Sequence, residues 1–437
     1  MKSRERIINI SRLLFFITLI IFIHVGQTLA ILKKITMYEF SNILQAFGII
    51  ALVIYIADKI MNKKRFNIYD IIIIILSVLG IISTVFAYNK GVAIWGTRTR
   101  FEGILSLLSY YLIFLLATTV KNKEKKLLLW LVIFFGLLQI IIGTIQTLKI
   151  NVIFNYDRSN NFSTNFAFAS GTLGNPNFYA TYILMCALFV LASFFSANNR
   201  KTKIIFGILS IIFAYGVFIG STTSTMLIYG LFLLIGVFKE LRKKKLKNII
   251  ISFLIFIFSF GIILISLNHF VDNKVFNSIK YNTIEIVNIF KYGIKDSTGS
   301  NRIYVWKTTL KQVPKNIING IGVDNFSFVD NGNKICIMKK VKKSCFDKAH
   351  NDYLQILITE GIFALITYLI LITLVLINGF INSKKNQDNS ILWPTIGYLL
   401  QMLFVFSVIR VAPIFYMIFA FNIDEENKIT LRRPRKK

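Results

Sequence analysis

Charge, histidine and cysteine are all scarce in this chain of 437 residues. Only 16% of its residues are charged, against about 25% in an ordinary soluble domain, so a soluble globular protein is excluded. Three cysteines are too few for a disulfide scaffold. The three histidines, His24, His269 and His350, are too scattered for a zinc site, and no His-Glu-x-x-His occurs. No Asp-x-Asp is present, which argues against a nucleotide sugar held through Mg²⁺. Without a Walker motif or a dinucleotide fingerprint, no ATP-driven pump is written in the chain. Neither a metal nor a cofactor is expected.

What the chain has in abundance is apolar sequence. Hydrophobic residues make up 55% of it and the mean hydropathy is +0.63. They come in blocks such as Ile7–Leu32, Ile71–Ala87, Ile104–Val120, Leu127–Leu148, Ile249–Leu267 and Leu354–Ile377. A helix rising about 1.5 Å per residue needs about 20 such residues to cross about 30 Å of hydrocarbon. Twelve spans fit, at about 7–32, 40–57, 68–87, 104–120, 127–148, 179–197, 204–220, 225–238, 249–268, 353–378, 391–409 and 412–424. The basic start Met1–Arg6 resembles a leader, but the apolar run behind it is long and lacks an Ala-x-Ala site, so a retained first helix is expected. The expected fold is an all-α polytopic membrane protein, with residues 1–437 forming a single integral membrane domain.

The net charge of +31 belongs to a membrane and not to nucleic acid. Most basic residues stand in short runs between apolar blocks: Lys59–Arg65, Lys121–Lys126, Arg200–Lys203, Lys239–Lys247 and Arg432–Lys437. Such runs set orientation and meet anionic lipid headgroups. With both termini cytoplasmic, the seven inside segments hold 28 Lys and Arg and the five short outside segments hold 8. Two outside segments are too long to be simple connectors: 149–178, and a large extracytoplasmic loop over 268–352. In that loop the residues of 281–292 and Arg302–Val313 read as short amphipathic helices. Arg302, Trp306 and Leu310 fall on one stripe, and Pro314 marks the second helix's end. Cys336 and Cys345 lie there too, either bridged or free.

No Asp, Glu or Lys sits at a span centre, whereas coupled transporters bury ionisable groups at the midplane. His24, alone in the first span, reads as a packed residue. The chemistry-bearing residues gather instead in outward segments. Gly96-Thr-Arg98-Thr-Arg100-Phe-Glu102-Gly103 sits between the third and fourth spans. Gly171-Thr-Leu-Gly174-Asn175-Pro176-Asn177-Phe178-Tyr179 leads into the sixth. Gly299-Ser-Asn301-Arg302-Ile-Tyr304-Val-Trp306 opens the loop helix, followed by Gly320-Ile-Gly322-Val-Asp324-Asn325-Phe326. Ala349-His350-Asn351-Asp352-Tyr353-Leu354-Gln355 enters the tenth span, with Glu360-Gly361 beyond. A guanidinium at a membrane surface suits a lipid pyrophosphate, and a nearby imidazole can take a proton from an attacking hydroxyl. Plainer roles stand beside these: headgroup anchors for Arg98 and Arg100, an acidic partner for Arg302, turn chemistry for Asn175 and Asn177, an interface belt for Tyr353.

In combination, Gly-x-x-Gly-Asn-Pro-Asn before a span, Ser-x-Arg-x-x-x-Trp, Gly-x-Gly-x-x-Asn-Phe and His-Asn-x-Tyr-Leu-Gln with Glu-Gly resemble the O-antigen ligase and O-antigen polymerase superfamily, bacterial membrane enzymes of GT-C type. Where many members have Ser-x-Ser-Arg-Gly, this chain has Gly220-Ser-Thr-Thr-Ser-Thr225 and lacks the arginine. The resemblance implies an undecaprenyl-pyrophosphate-linked glycan donor at the outer face of the bacterial cytoplasmic membrane. It implies a glycan or lipid-linked acceptor, and metal-independent transfer with inversion. By matching positions it assigns catalysis to Arg302 and His350, and substrate contacts to Arg98, Arg100, Asn175, Asn177, Asn351 and Tyr353. The alternative is a lipid-linked glycan flippase or another polytopic transporter.

Overall fold

The computed structural model describes residues 2–147, 169–242, 250–251, 284–285, 287–289, 291–330, 332–339 and 342–424. In chain order the first elements are α1 (Lys2–Ile31), α2 (Met37–Met61), α3 (Ile68–Val85), α4 (Lys90–Trp95), α5 (Ile104–Ala117), α6 (Asn122–Thr147), α7 (Pro176–Ser196), α8 (Arg200–Ile219) and α9 (Thr223–Arg242). Then come α10 (Thr298–Gln312), β1 (Cys336–Lys339), β2 (Lys342–Cys345), α11 (Asp352–Glu360), α12 (Ile362–Asn386), α13 (Leu392–Gln401) and α14 (Ala412–Ala420). Eight of these helices, α1 to α3, α6 to α9 and α12, are long and apolar enough to cross a membrane. The chain is an all-α polytopic membrane protein.

α7 is apolar on every side and is buried almost all round, against α8, α9 and α13; an all-round apolar helix suits a protein core as well as lipid, and here packing places it in the core. α5, only 14 residues long, is enclosed by α2, α3 and α14. The α2–α3 hairpin is closed by charge: Lys59 pairs with Asp70 at 2.6 Å and Lys64 with Asp58 at 3.0 Å. Thr36 and Asn67 each build a capping box, with Glu39 and Asp70. Lys125 donates to the Phe421 and Ile423 carbonyl oxygens at 2.9 and 3.1 Å, joining the start of α6 to the end of α14. These basic segments lie at the end of the bundle opposite the loops carrying Arg100, Asn175 and His350.

The twelve expected spans need correction in four places. The fourth, eleventh and twelfth are short helices, 14, 10 and 9 residues for α5, α13 and α14, although the chain still passes from one end of the bundle to the other at each. Between α13 and α14 the chain unwinds, and its freed backbone finds partners inside the protein. The Met402 carbonyl accepts from the Asp352 amide at 2.9 Å, and the Ser407 amide donates to Asp352 Oδ1 at 2.8 Å. Irregular backbone at membrane depth persists only where protein satisfies it in this way. The tenth block splits at Gly361, whose φ of +91° ends α11 before α12 begins. A Cβ there would lie 2.1 Å from the Ile318 carbonyl oxygen, and one on Gly320 (φ +68°) 2.1 Å from that of Thr359. Only glycine permits both the left-handed backbone and so close a crossing. The ninth span, 249–268, falls almost wholly outside the described residues.

In the large loop, α10 forms and stops at Pro314 as expected, but its buried residues are Val305 and Thr309, while Leu310 is exposed. A β1–β2 hairpin, antiparallel and closed by the Cys336–Cys345 disulfide, stands where only helices were expected. His24 is packed flat against Phe135, ring centroids 4.4 Å apart.

Candidate active site

The loop between α4 and α5, the start of α7, the start of α10 and the turn into α11 meet at one end of the bundle. Arg100 is held from two sides. Its Nε donates to Asp347 Oδ2 at 2.7 Å, and its guanidinium lies 5.2 Å from the Phe406 ring centroid and 5.8 Å from that of Phe178. Such stacking contributes about 0.5–2 kcal/mol per ring and fixes the plane of the fork. Among the described residues both Nη groups of Arg100 are left without a hydrogen bond. His350 packs edge-on against the same Phe406 ring at 5.2 Å, and its ring nitrogens form no hydrogen bond among the described residues.

Arg302 reaches the site through an unusual turn. Gly299, Ser300 and Asn301 all have left-handed backbone, with φ of 64°, 58° and 71°. The turn is held by the Gly299 amide donating to Glu285 Oε1 at 2.7 Å and the Asn301 amide to the Ser297 carbonyl at 3.1 Å. Side chains other than glycine resist this conformation, and such strain gathers at functional positions. One turn beyond Arg302, Trp306 Nε1 donates to the Ala349 carbonyl at 2.9 Å, docking the helix beside His350. Arg302 is half-buried and makes no hydrogen bond or ion pair among the described residues.

Burial, with the charges of Arg302 and Arg100, pushes His350 down to about 4, against the pull of Asp347. The imidazole is therefore neutral, and free to accept a proton, at any pH well above that value. Burial works against the Asp347 carboxylate, but Arg100 and Lys348 hold it below its ordinary value. Behind this rim, burial raises Asp352 to about 6 and Glu102 to about 8. Tyr110 donates to Glu102 at 3.0 Å. Among the described residues no three His, Cys, Asp or Glu side chains form a group able to hold a metal.

Arg100 and His350 are thus brought together on Phe406, and α10 docks beside them through Trp306, close enough for the Arg302 charge to act on His350. Arg98 shares the Arg100 loop but is exposed and joins none of these contacts. Asn175 and Asn351 cap α7 and α11, accepting from the Asn177 and Leu354 amides at 2.9 Å each. Asn177 accepts from Thr222 at 3.3 Å, and the Tyr353 hydroxyl donates to the Leu399 carbonyl at 2.8 Å. Sequence reasoning missed Phe406, which lies inside an apolar block and carries no motif. It also missed Asp347 and Lys348, although both stand within three residues of His350.

Residues 208–369 match the family model described as O-Antigen ligase, and this match supports the O-antigen ligase and polymerase superfamily. The matched stretch includes Arg302 and His350 and ends before Phe406. No curated protein matches the chain.

Proposed function

We propose that this protein, carrying an O-antigen ligase match over 208–369, is a glycosyltransferase of lipid-linked oligosaccharide at the outer face of the bacterial cytoplasmic membrane. The donor is an undecaprenyl-pyrophosphate-linked glycan, and the acceptor a glycan or lipid hydroxyl. What carries the reading is a pair of half-buried guanidinium groups, Arg302 and Arg100, with N–H donors unused among the described residues, beside a neutral imidazole.

Arg302 and the Nη fork of Arg100 hold the diphosphate, since planar forks match phosphate oxygens in pairs. His350 takes the acceptor hydroxyl's proton on a ring nitrogen. The acceptor oxygen bonds to the anomeric carbon as the bond from that carbon to the phosphate oxygen breaks. Its electron pair leaves with the lipid diphosphate, and configuration inverts. Two guanidinium charges neutralise the leaving group, so the step calls on no metal. Both termini are cytoplasmic in this reading, because the basic loops lie at the other end of the bundle.

The test is glycan transfer by Arg302→Ala and His350→Ala in the full-length protein, with undecaprenyl-pyrophosphate oligosaccharide as donor. Loss of at least a hundredfold in turnover in each is expected; near-normal turnover by both refutes the assignment.

A further inference from the structure

The stretch Gly320–Phe326 has no part in the chemistry above, yet it joins the two halves of the site. The Ile321 and Gly322 amides donate to the Ile358 and Thr359 carbonyls of α11 at 3.0 Å each. The Ile321 carbonyl accepts from the Tyr88 amide at 3.2 Å, and Asn325 bonds the Asn89 backbone in both directions, at 2.8 and 3.2 Å. At its centre Asp324, itself left-handed at φ +55°, accepts the Thr97 amide on Oδ2 at 2.6 Å. Its other oxygen pairs with Lys348. Both side chains are buried, at 0% and 5% exposure, where an ion pair that loses one member leaves an uncompensated charge.

Asp347 and Lys348 therefore grip the same loop at two points. Lys348 holds Thr97 through Asp324, and Asp347 holds Arg100 directly. Both stand within three residues of His350. Charges alternate across the junction, so each latch also disfavours a one-residue slip that would bring like charges together.

We propose that Asp347 and Lys348 are positioning residues, a double charge latch that keeps the Arg100 fork and the His350 ring in one frame. The latch serves the donor-binding reading above, but its geometry can be tested apart from it. Asp347 occupies Nε of Arg100 and leaves both Nη groups to the ligand, so its loss acts on donor binding. Lys348 acts on the placement of the whole 97–100 loop.

The experiment uses the full-length protein in nanodiscs, with undecaprenyl-pyrophosphate oligosaccharide as donor. Asp347→Asn is expected to raise the donor KM about tenfold with the acceptor KM unchanged, and Asp347→Glu to recover most of it. Equal rises in both KM values, or none, overturn the latch. Hydrogen exchange over 95–103 gives a readout independent of activity. Lys348→Met should speed exchange there at least tenfold, and Lys348→Met with Asp324→Asn should bring it part of the way back by removing the stranded charge. Unchanged exchange in Lys348→Met overturns the proposal even if transfer is normal. If the variants show this exchange pattern while the wild-type protein transfers no glycan, the functional reading alone is sunk.

Discussion

The Arg100 guanidinium and the His350 imidazole rest on one ring, that of Phe406, each 5.2 Å from its centroid. The two groups are 250 positions apart in the chain, and the aromatic surface they share comes from the unwound stretch between α13 and α14. The groups cast above as donor contact and proton acceptor thus take their spacing from a residue that is given neither role.

Phe406→Leu keeps most of the side-chain volume and removes the aromatic face. The ring carries two cations, Arg100 at 5.2 Å and Lys348 at 5.7 Å, and losing the Arg100 contact alone, about 1 kcal/mol, should raise the donor KM at least fivefold with little change in expression. An unchanged donor KM means that the ring only fills space.

His350 is held neutral, so the acid limb of the pH–rate profile should lie below pH 5 and not near the ordinary histidine value. Its folded pKa is depressed to about 4 from 6.5, so the unfolded chain binds the extra proton between those values. Its contribution to stability is present above about 6.5 and is lost as pH falls towards 4. An acid limb at 6.5 that vanishes in His350→Gln would contradict the burial of this ring.

Glu102 carries the opposite sign. Burial raises it to about 8 from 4.5, so the folded protein holds a proton that the unfolded chain releases. Stability is full below about 4.5 and declines as pH rises through 8. Glu102→Gln mimics the protonated form. Its melting temperature relative to wild type should climb from pH 5 and level off above about pH 8; a flat difference across pH 5 to 8 rules the effect out.

The Cys336–Cys345 bridge leaves Cys186, buried in α7, as the one free thiol. Protein denatured without reductant should take up a single maleimide, and three after reduction. In the loop-entropy account, closing so short a loop contributes about 2–3 kcal/mol to the hairpin. Cys336→Ser with Cys345→Ser should therefore sensitise 332–346 to protease while leaving the bundle intact. Three adducts before reduction would place the hairpin in a reducing compartment and reverse the proposed orientation.

Much of this architecture is legible in the sequence because membrane helices announce themselves by length. Seven of the long helices begin and end within a few residues of the apolar blocks that predict them. The failures share one cause. Residues 104–120, 391–409 and 412–424 are as apolar as the long spans, and hydropathy does not show that the helices there stop at 14, 10 and 9 residues or that they are enclosed by protein. Gly361 was visible as a residue, but its left-handed turn depends on the Ile318 carbonyl crossing over it, which is tertiary. In the site, Arg302 and His350 are legible as isolated polar residues in recognisable settings. Asp324 and Lys348 are ordinary charges in a loop rich in them, and only the fold makes them partners.

The three left-handed residues ahead of Arg302 carry a last consequence. A side chain that leaves a helix start is normally aimed by its own rotamers, but here the peptide itself has been wound the wrong way just upstream, so the backbone chooses the bearing. Replacing Ser300 with valine would unwind that spring and swing the arginine elsewhere with every charge still in place. The turn thus sets where the proposed diphosphate contact stands, although none of its own three side chains has a part in the proposed chemistry.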